Sequence, residues 1–360
     1  MRAMTVNVSA CTALDGLTHR DTATMGVTYL NLSNSRQARI LLHLPPNSNR
    51  GTWMTLARQI IPGSIYLVTR RCAGRRHMLA PSRDVNALFA YLLAAGCERH
   101  GIQLLGAVQM SNHYHAVVYD PLGTLPLFAH GFHGPLARGV NRLRGTDDSV
   151  WDGRPPHYLE LCDSETVVDM LVYVACNPVA AGLVHTGSDW PGFRTSPRGC
   201  AQPGRAIGRP SGFLRAHGGT PASAVLRVCV PPTHRHLDAE EFATMLGQRV
   251  EARERELQER ARAEGRHFVG RRRLAALDPS SAPIKAARSP NIIPRVAARS
   301  AERCRGVLTR VAAFASSYRR AFEAFRQGMT SEIFPGGTWK LAVTFGLGAH
   351  APPGPAWASA

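Results

Sequence analysis

The chain has 360 residues, too many for one compact domain of ordinary size, and 44% hydrophobic against 19% charged residues supply a real core and exclude wholesale disorder. A formal net charge of +18 and a pI near 10.6 make nucleic acid the leading partner, and since Lys285 and Lys340 are the only lysines that charge is guanidinium, whose fork suits phosphate. Eight scattered cysteines without a CxxC pair exclude zinc-finger and disulfide frameworks, and no apolar run reaches the ~20 residues of a membrane helix, so a bacterial-type cytoplasmic location is expected.

Residues 1–57 mix Thr, Ser and Asn with short apolar runs and are expected to form a poorly structured leader. A β-branched and aromatic strand is predicted over 64–69, then a helix over 84–100 capped by Ser82 or Asp84, with Val85, Leu88, Phe89, Leu92 and Leu93 at helical spacing. Two strands follow, over 103–109 and 114–119, joined by the short connection 110–112. A helix over 125–143, a strand over 157–162 and a helix over 165–177 complete the order βαββαβα, an α+β pattern.

The Gly, Pro and Arg content of 199–219 predicts a linker, which closes a domain running over 58–198. Residues 220–360 are expected to form a basic, mainly helical C-terminal extension. It carries a long Glu/Arg helix over 238–265, a basic loop including Arg271, Arg272 and Arg273, and a second helical stretch over 297–327. The long helix lacks the sustained apolar seam of a coiled coil.

The segment MSNHYHAVV at 110–118 carries the most chemistry. Residues i and i+2 of a strand point to one face, so His113 and His115 can reach one metal ion, although a bare His-x-His pair also arises by chance or for packing. Tyr114 alternates to the other face and reads as core, whereas Tyr119 shares the histidine face farther along. In the helix over 165–177, Val167, Met170, Leu171 and Val174 form the apolar stripe, and Tyr173 and Asn177 share a flank beside it. Pro178 is expected to stop that helix just after Asn177, which leaves Asn177 open as a terminal residue and Tyr173 open as a half-buried aromatic. Gln109 reads as a turn-side hydrogen-bonding residue, and His157 and His185 as surface or structural histidines.

With these residues in view, the chain resembles the single-tyrosine HUH transposases, in particular the REP-associated tyrosine transposase branch. MSNHYHAVV is similar to that family's M-P-N-H-x-H-hydrophobic signature, with Ser111 where proline is usual. QIIPGSIYLVTRR at 59–71 resembles its first strand, and YVACNPVAAGLV at 173–184 its Y-x-x-x-N-P-V-x-A-G-L-V segment. The resemblance covers about 58–198. It implies a ferredoxin-like antiparallel sheet with flanking helices, His113, His115 and Asn177 as ligands of Mg²⁺ or Mn²⁺, with zinc also compatible, and Tyr173 as nucleophile. It further implies cleavage and rejoining of single-stranded hairpin or repeat DNA through a 5′-phosphotyrosine, a nucleoid-associated role, and a homodimer as an option, since relatives include monomers and dimers.

Arg70, Arg71, Arg75 and Arg76 follow the first strand, Arg138 and Arg142 lie on the second helix and Arg144 just after its expected end; these, with Arg154, are the candidate DNA contacts, each equally readable as solvated surface. Trp151 is read either as a base-stacking or as a packing residue. Two competing functions stand beside the nuclease: a non-catalytic, domesticated DNA-binding protein on the same scaffold, and a metal-dependent hydrolase that activates water at His113 and His115.

Overall fold

The computed structural model describes residues 57–212, 220–283, 295–329 and 333–358, together with the backbone of two strands at 26–30 and 39–43. In chain order the elements are β1 (Gly26–Leu30), β2 (Arg39–His43), β3 (Ser64–Arg71), α1 (Arg83–His100), β4 (Gln103–Gln109), β5 (His113–Asp120) and α2 (Leu125–Arg144). They continue with β6 (His157–Leu161), α3 (Ser164–Ala180), β7 (Arg205–Gly208), β8 (Ser223–Leu226), α4 (Ala239–Ala263), α5 (Arg271–Ala275), β9 (Val296–Ala298), α6 (Ala301–Arg326) and α7 (Lys340–Phe345). The chain is therefore α+β, and its contacts divide it into two compact units: Met1–Pro62, Leu159–Thr166 and Ser289–Ala360 form the first, Gly63–Tyr158 and Val167–Arg288 the second. These boundaries differ from a domain over 58–198 followed by an extension over 220–360.

In the second unit β5 lies between β3 and β4 and is antiparallel to both. Strand alternation sends Tyr114, Ala116 and Val118 to one face, where all three are fully buried. There they meet α1 and α2 in the main core, built around Phe89, Phe128 and Phe132. Phe89 and Phe132 pack edge to face with ring centroids 5.2 Å apart. Burying each such ring contributes roughly 1.5–3 kcal/mol. The Ser82 hydroxyl caps α1 by accepting from the Val85 N–H, and the buried Asp120 carboxylate accepts from the N–H groups of Thr124 and Leu125 at 2.9 Å each, satisfying the first turn of α2.

The other face receives α3. Gly106, beside a β-bulge in β4, leaves room for it: a Cβ there would stand 2.9 Å from Cδ2 of Leu171. The expected linker contains structure instead. β7 pairs antiparallel with β8, Ala224 enters the main core, and Tyr91 donates to the carbonyl of Pro221. Ile207 of β7 and Ala224 and Leu226 of β8 pack into the main core that α1 helps to build, despite the Gly/Pro-rich surroundings; residues 213–219 lie outside the described set.

In the first unit β1 pairs with β2, β2 with β9, and β9 runs parallel to the end of β6. Two strands thus occupy the region expected as an unstructured leader, whose remaining residues up to 56 lie outside the described set. Cys162, Val296, Ala298, Cys304 and Leu308 form the core under α6, and Arg310 pairs with the buried Glu160 at 2.5 Å. Among the described residues no helix is long and apolar enough to cross a membrane.

Candidate active site

The histidines stand on β5 facing α3. Antiparallel pairing sets Arg71 opposite His113 and Thr69 opposite His115, and directly opposed residues share a face. The imidazoles lie edge to face with centroids 4.8 Å apart. Each ring has a partner at Nδ1: Thr69 Oγ1 at 2.7 Å from His115, and Asn112 Oδ1 at 2.7 Å from His113. Asn112 Nδ2 donates to the carbonyl of Arg75, which turns its amide oxygen toward His113. That oxygen can only accept, so His113 Nδ1 carries the proton and Nε2 keeps its lone pair, the tautomer suited to a metal ligand.

From α3, Tyr173 brings its hydroxyl to 3.4 Å from His115 Nε2, with the two rings 5.3 Å apart. Asn177, one turn later and buried, lies near enough to the Tyr173 hydroxyl to lower its pKa. The register is set by Val167, Met170, Leu171 and Val174, all buried as the apolar stripe predicts. Pro178 does not end the helix. α3 continues to Ala180, Ala181 N–H donates to the Asn177 carbonyl, and Gly182 at φ 70° makes the left-handed turn that stops it. A proline this close to the end removes only one late hydrogen bond.

Burial dominates the electrostatics. It lowers the pKa of His113 to about 4, with Arg71 acting in the same direction, and pushes His115 well below the usual range, helped by His113, Arg71 and His157. Both rings are neutral at pH 7. Burial raises the pKa of Tyr173, against which Asn177 and the charge of Arg71 work.

The candidate arginines separate. Arg71 lies on the histidine face, opposite His113, and Arg75 and Arg154 are close enough to perturb its charge. Arg154 is exposed and chelates Asp152. Arg76 is paired with Asp148. Arg70, opposite Tyr114, points to the other face, where Nη1 lies 3.0 Å from His133 Nδ1 and the guanidinium sits 5.3 Å from the centre of the Trp151 ring. Arg138 and Arg142 are exposed on α2, which packs on the Tyr114 face, and Arg144, in the last turn of α2, donates to the carbonyl of Ala80. The eight arginines therefore do not line one channel. Trp151 is a buried packing residue that donates to the His133 carbonyl, and Gln109 bonds the carbonyl of Leu79.

Sequence reasoning missed Thr69 and Asn112, the two groups that orient the imidazoles. Their signal was present, since Asn112 belongs to the histidine motif and Thr69 lies on the predicted first strand. His157 is also nearer the site than a surface role implies. Among the described residues no group of three or more His, Cys, Asp and Glu side chains stands at metal-binding separation. Two neutral imidazoles with an amide nearby are groups that could serve a six-coordinate hard or borderline cation with solvent in its remaining positions.

No protein-family model matches the chain, and no curated protein matches it. One similar solved structure is that of a REP-associated tyrosine transposase bound to a REP hairpin, at 18% identity and a TM-score of 0.34, covering 49% of this chain and 99% of that one.

Proposed function

We propose that the second unit is a single-tyrosine HUH nuclease and strand transferase acting on single-stranded hairpin or repeat DNA, with its elements in a ferredoxin-like arrangement. Its divalent cation, Mn²⁺ or Mg²⁺, is held by His113, His115 and Asn177. The observation that carries the reading is the Tyr173 hydroxyl at 3.4 Å from His115 Nε2, a nucleophile's oxygen beside two neutral imidazoles. A packing tyrosine also finds a polar partner, as Tyr114 does at His133; what marks Tyr173 is that its imidazole neighbour belongs to the paired His113 and His115.

In the reaction Tyr173 Oη attacks a DNA phosphorus and the bond from phosphorus to the 3′ oxygen breaks. The phosphoryl group stays on the tyrosine as a 5′-phosphotyrosine, and the tyrosine proton ends on the released 3′ oxygen, so the strand can be rejoined by the reverse step. A bound cation supplies Lewis-acid polarisation of a non-bridging phosphate oxygen. Thr69 and Asn112 hold the imidazole orientations, Asn177 holds the hydroxyl, and Arg71 offers positive charge to the developing oxyanion. Incubation with single-stranded hairpin DNA and Mn²⁺, followed by peptide mass spectrometry, tests the reading: a nucleotidyl group is expected on the peptide containing Tyr173, and on no other tyrosine.

Burial that keeps Tyr173 protonated favours a second reading, a DNA-binding protein that holds repeat DNA without cutting. That reading predicts binding with no modified peptide.

A further inference from the structure

Within the second unit, the segment after α4 runs across the border of the site and is tied down on both sides of it. At one end, Val269 N–H donates to the carbonyl of Gly182 at 3.0 Å and Gly270 N–H to that of Leu183 at 2.9 Å, directly after the helix that carries Tyr173 and Asn177. Phe268 packs on the His185 ring, and Gln258 of α4 donates to the His185 carbonyl. At the other end, the carbonyl of Ser281 accepts from His77 N–H, just past the turn holding Arg75 and Arg76 at the exit of β3.

Between these anchors lies the short helix α5, seated by Leu274, which is 1% exposed. Its Arg271, Arg272 and Arg273 are exposed; Arg271 lies near enough to Asp189 to help lower that carboxyl's pKa, and Arg272 and Arg273 enter no salt bridge among the described residues. Three neighbouring guanidinium groups fixed on a tethered backbone have lost little freedom to a partner already present, yet repel one another. An anionic polymer relieves that repulsion. We propose that this strap binds the phosphate backbone of the single strand flanking the cleavage site, an inference that rests on the nuclease reading for the position of the scissile phosphate.

From Tyr173 to Ala180 α3 rises about 10 Å at ~1.5 Å per residue. Nucleotides spaced ~3.4 Å apart cover that distance in about three steps, so the strap meets the strand roughly three to four nucleotides from the tyrosine.

The test measures binding of hairpin oligonucleotides bearing 5′ or 3′ single-stranded flanks of increasing length to the full chain, to the triple variant Arg271→Gln/Arg272→Gln/Arg273→Gln, and to Arg319→Gln/Arg320→Gln, which removes exposed charge from α6. The wild type is expected to gain affinity, on the order of tenfold at low salt, once a flank exceeds about three nucleotides. The triple variant is expected to lose that gain and to show a salt dependence shallower by about 2 in log–log slope, at ~0.7 per phosphate contact, while the α6 variant keeps both. Retention of the gain and slope in the triple variant, or their loss in the α6 variant as well, overturns the proposal. Adduct formation is followed on the unflanked hairpin in parallel. Absence of any Tyr173 adduct alongside a flank gain that depends on Arg271–Arg273 removes the nuclease reading while supporting the strap as a strand-binding element.

Discussion

The Tyr173 hydroxyl lies 3.4 Å from Nε2 of His115, although the two residues are 58 positions apart and belong to a helix and a strand that share no hydrogen-bonded backbone. What brings them together is Leu171 resting over Gly106. Substituting Gly106→Ala puts a methyl 2.9 Å from Leu171 Cδ2, so the Leu171 side chain, or α3 with it, must shift. The expected cost is about 1–3 kcal/mol of stability. Adduct formation should slow more than tenfold with DNA affinity nearly unchanged, since a misplacement of about 1 Å costs on the order of 10²-fold. Urea denaturation and single-turnover adduct kinetics check the two halves.

Thr69 acts through His115. Removing its hydroxyl in Thr69→Val frees the ring to rotate and leaves Nδ1 unpaired, so Mn²⁺ affinity is expected to fall by about 10–100-fold. Thr69→Ser, which restores the oxygen, should recover most of it. Isothermal titration with Mn²⁺ measures both; equal losses in the valine and serine variants would mean that packing, not the hydrogen bond, is what Thr69 supplies.

The buried Asp120 carboxylate satisfies two N–H groups at the start of α2. Asp120→Ala leaves both donors unpaired next to the main core, for an expected loss of about 1–2 kcal/mol. The shift in urea midpoint at neutral pH reads this out, with the slope of the transition unchanged.

Acid should destabilise the protein well above the carboxylate range. His113 is held to about 4 by burial and by Arg71, and burial also holds His115 and His133 low. Unfolded, each takes its proton near 6.5. Between about 4 and 6.5 the unfolded chain therefore binds more protons, so these groups contribute stability that is full above the unfolded value and is lost as pH falls through that window. Burial raises Asp120 and so acts in the opposite sense, but only around carboxylate pH values. Urea midpoints measured across the window should fall with pH, and fall less steeply in His113→Asn; a level profile would contradict the burial of the imidazoles.

Much of the second unit was legible in the sequence because its signals are local. The predicted strand over 103–109 matches β4 end for end, Ser82 caps α1, and the apolar stripe on α3 fixed which flank carries Tyr173 and Asn177. Arg70 and Arg71 show where local reading stopped short. Adjacent strand residues point to opposite faces, so only one of them can share a face with His113, and the pairing register rather than the composition decides which. β7 was read as linker and β8 as part of a helical extension because the strands are four residues each and are held by each other and by α1 rather than by their own periodicity. The strand at 39–43 pairs with β9, more than 250 residues away, and holds the strand at 26–30 on its other side; single-sequence periodicity carries no signal for such a distant partner. Pro178 misled because α3 absorbs the one N–H it removes: helical bonding resumes beyond it, with Ala181 N–H reaching the Asn177 carbonyl.

The central claim is a covalent step at Tyr173. Wild type, Tyr173→Phe and His113→Ala are incubated with labelled single-stranded hairpin DNAs and Mn²⁺ and run on a denaturing gel. A slow band in the wild type alone is predicted, with Tyr173→Phe still binding the hairpin. An adduct or cleaved strand that persists in Tyr173→Phe would contradict the tyrosine mechanism and point to water activated between His113 and His115.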